Sequence, residues 1–249
     1  MFTVEIKLQF SNRIAPDVDH MNHNNFSALH WTLEQGYLND EFDVYPKRAI
    51  GTGLRSGLIA FLGVARQNIE YICAAPFQGF KISVHNPGEV PRTSDQYFII
   101  PFNQAVKVKI KPNVITTSEG LMNYAPYKRQ CFFDRERDLK YFKVYTQKNC
   151  ELECLVDFTF DRCNCVKFSM PRHRDTKICS REDEFCYNKA IDIFMAVELQ
   201  TRLLKSANNE ILCNCLPSCT SIDYEIEISN GDYDYETFLK VAVGGSPDK

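Results

Sequence analysis

No stretch of this 249-residue sequence is long and apolar enough to cross a membrane. The longest purely apolar run covers the nine residues 57–65, against the ~20 that a spanning helix requires. The opening residues, Met1-Phe-Thr-Val-Glu-Ile-Lys7, lack a basic n-region followed by an apolar h-region, so no secretory signal is visible. A basic surplus is missing too. The 29 Lys and Arg face 32 Asp and Glu, for a net charge of −3, which excludes the charge signature of a nucleic-acid binder. There is no Gly-x-Ser-x-Gly elbow and no His-Glu-x-x-His pair, so neither an enzyme nor a cofactor is expected. The glycines of Gly51-Thr-Gly-Leu-Arg-Ser-Gly57 are spaced one residue too long for a dinucleotide loop and follow turn-like Tyr45-Pro46. They read as a glycine-rich turn feeding an apolar strand.

What the chain does have is cysteine. Of its 11 cysteines, ten lie between Cys131 and Cys219, and only Cys73 lies outside. That density belongs to a stapled extracellular module. With 44 % hydrophobic and 24 % charged residues the chain has an ordinary foldable composition. An oxidised module without a visible signal is expected to be a piece of a longer protein, and Cys73 to be unpaired or to have its partner outside this segment. Asn25-Phe-Ser27 is the only glycosylation sequon, a candidate if the chain is extracellular. His20 and His23 have no third ligand at useful spacing and read as an exposed polar loop.

Period-two alternation marks strands. It occurs at 80–85, at 105–111 and at 221–229. At 105–111, Val106, Val108 and Ile110 share one face, with Lys107, Lys109 and Lys111 on the other as a solvated sheet face. At 221–229, Ile222, Tyr224, Ile226 and Ile228 line up. Residues 141–145 alternate similarly. Asn86-Pro-Gly88 and Lys111-Pro-Asn113 read as turns between strands, and 231–236 as an exposed turn or fraying end. Two helices are expected, near 149–159 and over 189–205, where Ile191, Phe194, Val197 and Leu204 recur at helical spacing. The fold class is α+β, an antiparallel sheet carrying a helical, cross-linked insertion.

Ten cysteines allow about 945 full pairings, among which spacing alone does not choose. Geometry narrows the field. Cys150 and Cys154, four apart in a helix, share one face. Cys213 and Cys215, two apart in an extended segment, lie on one side. An antiparallel approach pairs Cys150 with Cys215 and Cys154 with Cys213. Cys131 and Cys219 flank this ladder, and Cys163 with Cys186 and Cys165 with Cys179 nest within the loop. The rival reading is metal. Cys-x-Cys and Cys-x3-Cys occur, but not the Cys-x2-Cys pairs of zinc knuckles, so bridges fit better and no metal is expected.

The residues around these cysteines resemble a known family. Tyr145-Thr-Gln-Lys-Asn-Cys150-Glu-Leu-Glu-Cys154, followed after eight residues by Cys163-Asn-Cys165, resembles the amiloride-sensitive sodium channel signature of the degenerin/epithelial sodium channel family. So do Cys165-Val-Lys-Phe-Ser-Met-Pro171 and Cys213-Asn-Cys-Leu-Pro-Ser-Cys219. Trp31-Thr-Leu-Glu-Gln-Gly-Tyr37, Gln78-Gly-Phe-Lys-Ile-Ser-Val-His85, Thr117-Ser-Glu-Gly120 and Arg129-Gln-Cys-Phe-Phe133 resemble its insect pickpocket branch. The resemblance covers roughly 27–238.

It implies a homo- or heterotrimeric, cation-selective channel with two membrane helices and a large ectodomain, passing sodium at the plasma membrane with this region on the extracellular side. It implies an antiparallel β-sheet palm with a disulfide-rich helical thumb whose five bridges are the nested set above. The expected division is a partial finger, β-ball and knuckle region over 1–79, palm strands over 80–130, the thumb over 131–219, and a returning palm strand with an acidic tail over 220–249. Both membrane helices, the Gly-x-Ser selectivity tract and the Cys-Tyr-Thr-Phe-Asn finger string are missing from this segment. Tyr127 is the candidate aromatic before the first thumb cysteine, but Lys128 and Arg129 follow it, and proton gating is not implied. The function expected is extracellular gating or sensing; the alternative is a secreted or non-conducting disulfide-rich binding module derived from such a channel.

Overall fold

The structure is a computed structural model that describes residues 31–37, 53, 57–64, 69, 78–92, 96–204 and 213–242. Cys73, Asn25, His20 and His23 lie outside the described residues. The described strands form three two-stranded antiparallel sheets. β1 (Trp31–Thr32) pairs with β2 (Gly36–Tyr37), β3 (Gly79–Ile82) with β4 (Phe98–Pro101), and β5 (Gln104–Ile115) with β6 (Ser221–Asp232). Between β5 and β6 the chain builds the short helix α1 (Pro126–Arg129) and the long helices α2 (Gln147–Cys163) and α3 (Glu184–Leu204); α4 (Tyr235–Ala242) follows β6.

The β5–β6 ribbon holds 12 residue pairs in continuous register. Its two faces differ in chemistry because the side-chain period is two. Val108 lies opposite Ile228, Ile110 opposite Ile226 and Val114 opposite Ile222, which makes one face apolar. On the other face Lys109 lies opposite Glu227 and Lys111 opposite Glu225, with Nζ–oxygen distances of 2.9 and 3.0 Å. The lysines are therefore one half of a ladder of exposed cross-strand pairs, each of small energetic weight.

The turn expected at 111–113 is not there. Pro112 sits within β5 opposite Tyr224. Proline removes a ladder donor and is excluded from central strands, but both strands of a two-stranded ribbon are edges. The expected fray at 231–236 is likewise replaced. β6 runs to Asp232, and Asp234 starts α4 by accepting from the Thr237 amide at 3.0 Å and the Thr237 hydroxyl at 2.6 Å, the N-cap arrangement. These bonds to Thr237 hold the Asp234 carboxyl below its ordinary pKa.

Gly79 is required where it stands. Its φ is +154°, and a Cβ there would lie 2.2 Å from the Ile100 carbonyl oxygen of β4. The strand expected at 80–85 ends at Ile82. The expected turn at 86–88 is present: the Glu89 amide donates to the Asn86 carbonyl and the Gly88 amide to Asn86 Oδ1, both at 2.9 Å.

Two further strand expectations fail. Residues 57–64 carry no regular structure, and Leu58, Ile59 and Phe61 are exposed; an apolar run becomes a strand only against a partner, and none pairs with it among the described residues. Residues 141–145 are irregular because side chains have taken their backbone groups. The Tyr141 amide donates to Glu153 Oε1, the Tyr145 amide to Asp134 Oδ1 and Asn149 Nδ2 to the Val144 carbonyl.

The core lies in the cross-linked helical region. Leu155 and Val156 of α2, Phe194 of α3, Val166, Met170 and Cys213 form one buried cluster, with Phe158 and Ile191 against it. Phe158 and Phe194 meet edge to face at 5.4 Å between centroids. α2 extends beyond 149–159 at both ends, and α3 begins five residues before the expected 189. α2 begins at a Thr146 N-cap whose hydroxyl accepts from the Asn149 amide at 3.1 Å. It ends at Asn164 in the left-handed conformation, φ 54°, which asparagine tolerates better than most residues. Among the described residues no helix is long and apolar enough to cross a membrane.

Candidate functional site: the disulfide-bonded helical unit and its junction with the ribbon

The structure joins ten cysteines in five bridges: Cys131 to Cys219, Cys150 to Cys215, Cys154 to Cys213, Cys163 to Cys186 and Cys165 to Cys179. Their Cα–Cα distances run from 5.0 to 5.9 Å, within the ordinary disulfide range. The two middle bridges fit together because two periodicities agree. Four helical residues rise about 6 Å, and two extended residues advance about 6.6 Å. Cys150 and Cys154 on α2 thus meet Cys215 and Cys213 rung for rung. The distal pair clamps the far end, where Cys163 closes α2 and Cys186 lies near the start of α3. With their sulfurs bonded to each other, these cysteines are not available as metal ligands.

The proximal bridge, Cys131–Cys219, closes the base where the chain leaves the ribbon and returns to it. Its closure of 88 residues corresponds to about 4.5 kcal/mol in the chain-entropy account. Backbone bonds double it: the Phe132 amide donates to Pro217 O at 2.9 Å and the Cys219 amide to Phe132 O at 2.8 Å. Tyr145, 2 % exposed, packs edge to face on Phe132 at 5.4 Å and donates its hydroxyl to Leu216 O at 2.6 Å. Burial pushes its pKa up to about 12. Arg137 donates to the carbonyls of Cys213 and Asn214 at 2.8 and 2.7 Å. Arg129, at the end of α1, pairs with Glu136 and donates Nε–H to Cys131 O at 3.1 Å. Tyr127 is exposed.

Beyond this base, the first turn of α2 touches the rest of the molecule through two adjacent side chains. Lys148 Nζ lies 3.2 Å from Glu89 Oε2, 3.4 Å from Gln96 Oε1 and 3.9 Å from Asp223 Oδ1. Asn149 Nδ2 donates to Gly88 O at 2.7 Å. One residue thus spans the loop after β3, the segment before β4, and β6. Burial raises the Glu89 pKa, opposed by the Lys148 charge beside it. A cleft of about 440 Å³ opens here, with Ile222 and Tyr224 of the ribbon on one side and Val84, His85, Tyr97 and Lys148 on the other. Lys148, Glu89, Asp223, Tyr145, Arg137 and Arg129 were not singled out as site residues in the sequence. Only the turn signal at 86–88 hinted at the Glu89 position, since all of these contacts except the local ones of Arg129 join residues far apart in the chain.

Antiparallel ribbons together with a helical unit cross-linked by five disulfides define a disulfide-stapled α+β module. The chain belongs to the amiloride-sensitive sodium channel family, whose model matches residues 21–244, and it is of the insect pickpocket type. It is similar to Pickpocket protein 28 of Drosophila melanogaster, 30 % identical over 223 residues, covering 88 % of this chain and 35 % of that relative. It is also similar to Sodium channel protein Nach of Drosophila ananassae, 28 % identical over 199 residues, covering 80 % of this chain and 36 % of that protein. Against Pickpocket protein 11 of Drosophila melanogaster the identity is 27 % over 171 residues, 68 % of this chain and 31 % of the relative. The chain therefore spans about a third of the length of the curated relatives it matches. Members of this family are ion channels, not enzymes; they are membrane proteins whose ectodomain is extracellular.

Proposed function

We propose that these residues form the extracellular gating region of an amiloride-sensitive sodium channel subunit. In this reading 80–130 and 220–249 contribute palm strands, 131–219 is the thumb, and 1–79 belongs to the finger, β-ball and knuckle. Subunits of one or more kinds assemble as a trimer, and sodium passes through a pore built by membrane helices outside the described residues. The thumb receives a stimulus and passes it to the palm.

The observation that carries the reading is mechanical. Five bridges make the helical unit internally stiff, yet it meets the ribbon through a narrow base, the Cys131–Cys219 bridge with its backbone bonds, and through Lys148 beside Asp223 of β6, while Lys148 and Asn149 also reach the loop after β3. A stiff body on a narrow base transmits displacement rather than absorbing it. The test is electrical. The full-length subunit containing this segment, expressed at the surface of oocytes, is expected to give an amiloride-blocked sodium current, and Lys148→Ala is expected to change its open probability while leaving ion selectivity intact. Surface protein with no sodium current, alone or with pickpocket-type partners, would overturn the reading.

A further inference from the structure

The chain carries a net charge of −3, yet the 13 residues enclosed by Cys165 and Cys179 carry Lys167, Arg172, Arg174 and Lys177 against Asp175 alone. This loop is built, not frayed. The Cys165–Cys179 bridge closes its neck. Val166 and Ile178 form a parallel bridge, with the Val166 amide donating to Lys177 O at 3.0 Å and the Cys179 amide to Val166 O at 2.9 Å. Val166 and Met170 anchor it in the core, and Arg172 Nη1 donates to Phe168 O at 3.0 Å. Beside the cations, Phe168 is 65 % exposed and Ile178 44 % exposed. A neighbouring carboxylate offsets part of the surplus, with Lys177 3.7 Å from Asp183, and Lys167 sits 5.5 Å from the Tyr187 ring.

We propose that this disulfide-closed loop is a docking site for an acidic polypeptide segment that carries an apolar side chain beside its carboxylates. Charge complementarity selects the acidic partner. The exposed Phe168 and Ile178 favour a polypeptide over a sulfated glycan, which uses the cations and leaves apolar side chains unemployed, while two apolar side chains make too small a face for interfacial insertion into anionic lipid. Rigidity matters as well: a loop already ordered by its bridge and its backbone bonds loses little conformational freedom when it binds. The site stands on the loop alone and goes beyond the gating reading; it does not depend on whether the chain serves a channel.

The probe is a fluorescent 12-residue peptide of Glu and Asp with one central Trp, titrated against the oxidised 249-residue chain by anisotropy. Binding is expected to weaken at least tenfold in the double variant Arg174→Glu/Lys177→Glu. It is expected to weaken several-fold in Phe168→Ser, and by a similar factor when the peptide's Trp is replaced by Ser. Near-ultraviolet circular dichroism and an unchanged thiol count check that these surface variants keep their fold. Three outcomes overturn the proposal: equal binding by the charge-reversed chain, indifference to Phe168 and to the peptide's Trp, or tighter Lys177-dependent binding of a heparin fragment or of phosphatidylserine vesicles than of the peptide.

Discussion

At the scale of single residues, the base of the disulfide-bonded unit depends on polar groups that have little room to change. Tyr145 is the clearest. Its buried hydroxyl has Leu216 O as acceptor, so Tyr145→Phe is expected to cost about 1 kcal/mol in urea unfolding at pH 7. Its pKa is raised in the folded state to about 12, above the unfolded value near 10. The stabilisation from its neutral form is therefore complete below about pH 10 and is lost as the pH rises toward 12, by roughly 2–3 kcal/mol. Unfolding free energies measured across this window are expected to fall more steeply for the native chain than for Tyr145→Phe. Gly79 was not singled out from its place in the sequence; its need for glycine comes from the Ile100 carbonyl packed against it in β4.

At the scale of elements, the expectations that survived have a local cause. Helix α3 follows from apolar residues recurring at helical spacing, and α2 starts at the Thr146 cap. Thr146→Ala is expected to lower stability by about 1 kcal/mol, measured by urea denaturation. The double variant Cys154→Ser/Cys213→Ser removes one rung of the ladder on α2 and is expected to cost about 2–4 kcal/mol in the same assay. The expectations that failed depend on what lies alongside. Alternation at 141–145 looks like a strand until side chains from α2 and from Asp134 capture its amides. Pro112 looks like a turn until β5 proves to be an edge. The run at 57–64 has a strand's composition but no partner among the described residues.

At the scale of the molecule, the design is a stiff helical unit held to a long ribbon at a base and one lateral contact. Thiol labelling of the denatured, unreduced chain is expected to find at most one reactive cysteine, Cys73, and all 11 after reduction. Lys148→Met is expected to act locally in hydrogen exchange. Protection falls in the 86–89 turn and at the start of β6, while the amides of α2 and α3 keep theirs, because the bridges and the core of the unit do not pass through Lys148. A uniform loss over both regions would show that the two halves unfold as one.

The division between sequence and structure follows the range of the interactions. Composition, the cysteine string and periodicity by themselves determined the α+β class, the two long helices, the two ribbon strands and the family, because each is written in local spacing. Helical and extended periodicity narrowed the roughly 945 pairings of that string to one nested set; what the tertiary structure decided was the actual meeting of α2 with the extended segment 213–215 on which that set depends. The Lys148 junction, the buried Tyr145 hydroxyl and the constraint on Gly79 were decided there too. Their partners lie between 21 and 75 positions away in the chain, and no local pattern encodes which distant groups a side chain will meet.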